Sequence, residues 1–339
     1  MIAKPYFTIV MPVFNRPVSV RRAIDSCLAQ DFASFEVVVV DDGSGDGTAE
    51  AVAGYDDPRV RLILHRTNRG VCPARNTAIR ASRGQWLIFL DSDHEMLPGC
   101  LSSICRHIAE GGPICRYGFQ YLFDDGRVSP DPMPPESLLG YTEWLRWIDY
   151  APWTDALWAT RRDCFEHCLL PESFALEFSY FLNFARHFQS RMVALALAFQ
   201  HTDSPDRLSY MAPPANPEMV KRKAQDQAAD WQSVLADHGD SLRKLAPRCY
   251  EAILRNAALA NLSAGNRPQA WRTILAALLF RPGSPRAWAT LLAVLAGPWA
   301  ALALAKLRSE HRRRSKRFPR ADASLDDFSG EVRLQIARN

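Results

Sequence analysis

The sequence runs to 339 residues, 47% of them apolar and 23% charged, with a formal net charge of +4. That length has room for a domain of about 200–250 residues plus an appendage. The charge is mild and is not gathered as a nucleic-acid surface requires, so no nucleic-acid partner is expected; the eight cysteines lack the paired spacing of zinc sites and read as reduced, buried thiols of a cytoplasmic protein.

Met1-Ile2-Ala3-Lys4-Pro5 carries no signal-peptide pattern and leads straight into a first strand, Phe7 to Val13, followed by Phe14-Asn15-Arg16. A helical pattern from Val18 to Gln30 comes next. The second strand, Phe35 to Val40, ends in Asp41-Asp42-Gly43-Ser44, and a short helix is expected over roughly Gly47 to Ala53. The third, Val60 to Leu64, passes through Asn68-Arg69-Gly70 into a helix from about Cys72 to Ala81 that carries Arg75 and Asn76. The fourth, Trp86 to Leu90, ends in Asp91-Ser92-Asp93. Continuously apolar strands are those covered by helices on both faces. Four strand–helix units in about ninety residues predict a doubly wound, mostly parallel sheet.

A buried strand ending in Asp-x-Asp delivers hard oxygen ligands to the carboxyl edge of the sheet, where open α/β folds bind their ligands. Mg²⁺ and Mn²⁺ prefer such carboxylates together with phosphate oxygens, so Asp91 and Asp93 are candidates for seating a metal–diphosphate. No Gly-x-Gly-x-x-Gly follows the first strand and no P-loop is present, which leaves metal and Arg to hold the phosphates. A nucleotidyltransferase would place a Gly-rich loop where Phe14-Asn15-Arg16 stands.

Met11-Pro12-Val13-Phe14-Asn15-Arg16, Val40-Asp41-Asp42-Gly43-Ser44, Asn68-Arg69-Gly70 with Ala74-Arg75-Asn76, and Leu90-Asp91-Ser92-Asp93 occur in the order and spacing of family 2 glycosyltransferases. The chain resembles that family from Tyr6 to Ser209. The resemblance implies a GT-A fold, a Rossmann-like, mostly parallel sheet flanked by helices, and an inverting transfer from a UDP-, GDP- or dTDP-sugar to a glycan or lipid-linked acceptor of surface polysaccharide biosynthesis. By the same resemblance Pro12, Phe14, Arg16, Asp41, Asp42, Arg75, Asp91 and Ser92 line the donor site. Phe14 would stack on the base, Asp41 or Asp42 would accept from a uracil-type N–H, and Arg16 and Arg75 would donate to the diphosphate. Asp93 would bind Mn²⁺ or Mg²⁺ most directly, with Asp91 beside it. His94 stands where many relatives have another Asp and reads as a supporting or surface residue.

The family's base sits in a Glu-Asp pair opening a helix. Here the matching stretch is Leu176-Glu177-Phe178-Ser179-Tyr180-Phe181, so Glu177 is retained and the Asp is Phe178. An inverting transfer needs a carboxylate to take the acceptor proton, which Phe cannot do. Three readings stay open: Glu177 acts through a small register shift, another carboxylate such as Asp155 or Glu172 acts, or the protein binds sugar nucleotides without transferring. A strand from about Met192 to Phe199 then reaches His201, displaced by one position from the family's His and a candidate partner of the metal or diphosphate.

The expected organisation is a GT-A domain over 1–212, a helical carboxyl-terminal region over 213–318 and a polar tail over 319–339. Pro213-Pro214-Ala215-Asn216-Pro217 reads as a linker, and Asn256 to Trp288 resembles one tetratricopeptide-like helical pair, expected to pack on the catalytic domain or on other helices. Ala287 to Ala305 holds one hydroxyl and no charge, is split by Gly297-Pro298, and precedes Lys306, Arg308, Arg312, Arg313, Arg314, Lys316, Arg317 and Arg320. The expectation is an interfacial hairpin at an anionic membrane surface, hence a peripheral position at the inner face of the cell membrane.

Overall fold

The computed structural model describes residues 4–112, 114–135, 137–151, 155–174, 177–201 and 217–297. Strand β1 (Phe7–Val13) is followed by α1 (Pro17–Leu28), β2 (Phe35–Asp41), α2 (Thr48–Ala53), β3 (Val60–Leu64), α3 (Val71–Ala81) and β4 (Trp86–Phe89). β1 runs parallel to β2, from Phe7↔Phe35 to Val13↔Asp41, and parallel to β4, from Phe7↔Trp86 to Val10↔Phe89. That register brings Arg16, the Asp41-Asp42 pair and Asp91 to the same carboxyl edge.

The strands form where β-branched residues run without interruption. Val37, Val38, Val39 and Val40 are fully buried, and each such side chain contributes about 1.5–3 kcal/mol when removed from water. Glu36 interrupts the apolar run and is buried as well. Its carboxylate accepts from Thr8 Oγ1 at 2.8 Å and Arg61 Nη1 at 2.8 Å, and pairs with Arg83 Nη2 at 2.7 Å. Burial alone would raise its pKa, but those bonds outweigh it and hold the carboxyl below its usual range. Gly84 is required beside this cluster: a Cβ there would lie 2.5 Å from Thr8 N and 2.6 Å from Phe7 C.

After Asp93 the chain makes β5 (His94–Met96), α4 (Cys100–Glu110), β6 (Arg116–Phe123), β7 (Val128–Ser129), β8 (Leu138–Leu139), α5 (Tyr141–Tyr150) and β9 (Leu157–Arg161). A 3₁₀ turn over Arg162–Glu166, α6 (Phe178–His187) and β10 (Ser190–Gln200) complete the sheet, ordered β3-β2-β1-β4-β9-β6-β10-β5. The sheet is mixed. Its first four strands are parallel, β9 runs antiparallel to both β4 and β6, and β10 is parallel to β6 but antiparallel to β5. The eight cysteines are free thiols, and all but Cys105 are buried.

Helices α7 (Pro217–Leu245), α8 (Pro247–Ser263), α9 (Arg267–Phe280) and α10 (Pro285–Ala296) follow. Trp231, Val234, Leu242 and Ile253 from α7 and α8 share one apolar cluster with Trp144 and Ile148 of α5, Trp158 of β9 and Leu182 of α6. The helices therefore dock on the sheet domain and on one another. α10 stops at Gly297, whose φ of 91° favours glycine. Leu275, Leu279, Trp288, Leu292 and Leu295 are exposed on α9 and α10. No described helix is long and apolar enough to cross a membrane. Residues 298–305 of the expected hairpin, the basic run after them, the polar tail and the 213–216 linker lie outside the described residues.

Candidate active site

The Asp-x-Asp leaves β4 at the carboxyl edge, and the strand that follows it, β5, is held antiparallel to β10 with His94 opposite Gln200. Ligand atoms of Asp91, Asp93 and His94 all lie within 4.8 Å of one another. Two carboxylates and an imidazole suit Mn²⁺ better than Mg²⁺, with diphosphate oxygens left to complete the shell. His94 is therefore not a surface residue: it is buried, its Nε2 stands 3.7 Å from Asp93 Oδ1, and its ring packs on Tyr121 at 4.7 Å. His201 does not join this cluster. Strand pairing carries it past His94, and its Nε2 contacts Glu95 Oε1 instead.

Two arginines neutralise the acidic pair from opposite sides. Arg16 Nη1 lies 2.9 Å from Asp93 Oδ2, and the Arg16 amide donates to Thr48 Oγ1 at 2.8 Å, fixing the loop after β1 to the start of α2. Arg75, on α3, donates to Asp91 Oδ1 at 2.6 Å through Nη2 and to Glu177 Oε1 through Nη1. Burial works to raise the Asp91 pKa, but the charge of Arg75, followed by those of His94 and Arg16, brings it down to about 2.

The neighbouring acidic pair divides its work. Asp42 accepts from Arg69 N at 3.0 Å and Gly70 N at 2.7 Å, and His65 Nδ1 stands 2.7 Å from it, so both of its oxygens hold the loop that starts α3. Among the described residues the Asp41 carboxylate accepts only from Ser44 N, at 2.8 Å, through Oδ1. Asn15 has φ 52° and closes the facing loop, its amide donating to Ser44 Oγ and its side-chain oxygen accepting from Gly45 N. Pro12 is buried in β1, Ser92 is buried between the two metal-side carboxylates in sequence, and Phe14 is half-buried just past β1.

Arg75, Phe89, Asp91, Tyr121, Asp155 and Glu177 line one cleft. Enclosure by the cleft walls, then the negative charges of Asp91 and Glu177, push the Asp155 carboxyl up to about 7. Asp155 keeps solvent access, so the crowding of carboxylates is the more durable of the two causes. Phe178 turns away from the cleft and packs on Trp231 of α7 at 5.7 Å between ring centroids. Glu172 is engaged elsewhere: it accepts from Asn76 Nδ2 at 2.9 Å and Arg80 Nη2 at 2.6 Å, which ties the 170–174 segment to α3. Leu176 of the expected base stretch lies outside the described residues. Tyr121 and Trp158 also line the cleft, and only their strand pattern, which any core residue shares, marked them in the sequence. A wider depression of about 800 Å³ runs between α1, α2 and β5 and holds none of these residues.

Residues 8–155 match the family model described as Glycosyl transferase family 2. Among curated proteins, the succinoglycan biosynthesis protein ExoO of Rhizobium meliloti is 44% identical over 124 residues, covering 36% of this chain and 36% of that protein. The UDP-Glc:alpha-D-GlcNAc-diphosphoundecaprenol beta-1,3-glucosyltransferase WfgD of Escherichia coli is 37% identical over 86 residues, covering 25% of this chain and 34% of that protein. The chain thus spans about a third of the length of these relatives. The crystal structure of S. aureus TarS 1–349 in complex with UDP-GlcNAc superposes with a TM-score of 0.54 at 18% identity, over 94% of this chain and 95% of that one, a likeness of fold.

Proposed function

We propose that the protein, whose residues 8–155 match the Glycosyl transferase family 2 model, is a metal-dependent inverting glycosyltransferase. Its donor is a UDP-, GDP- or dTDP-sugar and its acceptor a glycan or lipid-linked saccharide of surface polysaccharide biosynthesis. The observation that carries this reading is the meeting, at one sheet edge, of the Asp91-Asp93-His94 cluster with the Arg75–Glu177 pair.

Asp93, Asp91 and His94 would hold Mn²⁺ or Mg²⁺, which when bound neutralises the diphosphate leaving group. Arg16 is positioned to turn from Asp93 to the diphosphate once a cation replaces it as the carboxylate's partner. With both oxygens of Asp42 engaged, Asp41 is the carboxylate left to accept from the nucleobase, with Phe14 as the stacking surface beside it. Glu177 takes the acceptor proton, and Arg75 positions it against Asp91, linking the base to the metal side of the site.

A second reading makes Asp155 the base, favoured by its carboxyl near 7, a value suited to proton abstraction at neutral pH, and by its having no ion pair among the described residues. In the third reading, the Phe in place of Asp leaves a sugar-nucleotide-binding protein. Incubation with Mn²⁺, a panel of sugar nucleotides and lipid-linked acceptors tests all three. Transfer supports an enzyme, whereas tight donor binding with neither transfer nor slow hydrolysis sinks it.

A further inference from the structure

Glu177 stands at the N-cap of α6, yet its side chain accepts nothing from the helix and pairs with Arg75 instead. The open amides of a helix start attract negative charge. Here that charge comes from another helix. Asp230 of α7 is buried, and Ser179, in the first turn of α6, hydrogen-bonds its carboxylate, whose Oδ2 meets no described partner. Phe178, which stands where the resembled family has its Asp, packs on Trp231, the next residue of α7. Glu177 and Asp230 both act on the buried Cys72 thiol of α3, Glu177 the more strongly, so the two carboxylates approach the same place from different helices.

α7 also holds the chain on the other side of Glu177. Asp226 Oδ2 accepts from the Phe174 amide at 3.1 Å, and the Arg222 guanidinium lies 5.9 Å from the centre of the Phe174 ring. That ring also packs against Gly70 at the start of α3, where a Cβ would stand 2.9 Å from Phe174 Cδ1. Asp226 and Asp230 are one turn apart, so they share a face of α7 and are separated by about 6 Å along its axis. Glu177 lies between Phe174 and Ser179 in the chain. A 29-residue helix therefore pins the backbone before and after the carboxylate that meets Arg75.

We propose that Asp230 and Asp226 are positioning residues for the transfer reaction. α7 fixes the backbone around Glu177 and supplies the charge at the start of α6, which leaves the Glu177 carboxylate to Arg75 and the acceptor. This inference rests on the reading of Glu177 as the base. Without Asp230, Glu177 becomes the carboxylate nearest the helix start, turns back to it and abandons Arg75. A displacement of about 1 Å at a reacting group costs about 10²-fold in rate. The helical carboxyl-terminal region is then part of the catalytic apparatus, and Phe178 is the residue that seats the helix start on it.

Asp230→Ala, Ser179→Ala and Asp226→Ala in the full chain test the proposal, with transfer, donor affinity and melting temperature measured together. Single-turnover transfer should fall about 10²-fold in Asp230→Ala and in the same direction in the other two, with the affinity for sugar nucleotide and Mn²⁺ near wild type. Asp230 buries a carboxylate with one oxygen unpaired, so its loss should not lower the melting temperature. A merely structural role would lower melting and leave transfer alone. Asp230→Asn, which keeps an oxygen for Ser179, should recover most of the rate. Added to Glu177→Gln, Asp230→Ala should cost nothing further, and a second full loss there overturns the proposal. Normal transfer in Asp230→Ala, with Glu177→Gln inactive, overturns the positioning role alone. Normal transfer in Glu177→Gln overturns the base reading and this inference with it. A crystal structure of Asp230→Ala gives the same answer without any activity: Glu177 should have left Arg75 for the first turn of α6, and an unmoved pair overturns the proposal.

Discussion

Glu177→Gln and Asp155→Asn, made singly and together, separate the two carboxylates that the cleft offers as base. Glu177→Gln keeps an oxygen to accept from Arg75 Nη1, and Arg75 retains Asp91 at 2.6 Å, so the guanidinium is not stranded. The fold should survive, since the 3–5 kcal/mol typical of stripping a buried charge of its partner does not arise. Losing a general base costs about 10²–10⁴-fold in rate, equivalent to about 2.7–5.4 kcal/mol of barrier at 1.36 kcal/mol per decade. Donor affinity should stay near wild type, because the base faces the acceptor and not the diphosphate. The assay is single-turnover transfer from saturating sugar nucleotide, with calorimetry of donor binding alongside. Wild-type turnover in Glu177→Gln refutes the assignment. If Asp155→Asn then takes the loss, and with it an acid limb near pH 7, the base is Asp155.

Asp93→Ala should abolish metal-dependent nucleotide binding with the melting transition intact; unchanged calorimetric affinity for nucleotide with Mn²⁺ would remove Asp93 from the site. The Asp155 carboxyl is raised to about 7 when folded, from an ordinary value of 3.8, so the folded chain holds a proton that the unfolded chain has lost across that interval. Its contribution therefore becomes more unfavourable as pH rises from about 4 to 7, and Asp155→Asn should raise the melting temperature more at pH 7.5 than at pH 4. Asp42→Ala strips the acceptor from Arg69 N, Gly70 N and His65 and should cost about 3–5 kcal/mol in urea unfolding, far more than a solvated turn residue would. Ala287 and Val294 of α10 belong to the core that α8 and α9 build, so a truncation meant to test membrane contact belongs after Gly297. The shortened chain should keep donor binding and lose sedimentation with anionic liposomes, and the full chain's binding should weaken with salt, since exposed charges are screened within about 10 Å at 0.1 M.

The parallel half of the sheet was legible because its strands are mostly apolar, broken inside only by Thr8, Glu36 and Arg61, and their ends were marked by polar residues in a fixed order. The same runs located Asp91, Asp93, Arg16 and Arg75 at one edge. What the sequence left open arises between distant segments. Whether Asp42 or Asp41 is free depends on Arg69 and Gly70, and the Arg75–Glu177 pair joins residues 102 positions apart in the chain. His94 reads as a polar residue after a turn, and nothing local shows that β10 will cover it. The strand reversal at β9 was likewise hidden, since a buried antiparallel strand has the same composition as a buried parallel one.

The lone pairing of β5 with β10 has a consequence for how the chain is built. His94 to Met96 leave the ribosome about a hundred residues before Gln200, and at roughly 5–20 residues per second that is on the order of 5–20 s without a strand partner. The parallel units from β1 to β4 are all synthesised before β5 and can assemble during that interval. The histidine side of the Asp91-Asp93-His94 cluster is thus closed only by late-arriving chain, which makes metal capacity a marker of completed synthesis: a nascent chain stalled before Ser190 should fold its amino half yet bind Mn²⁺ weakly.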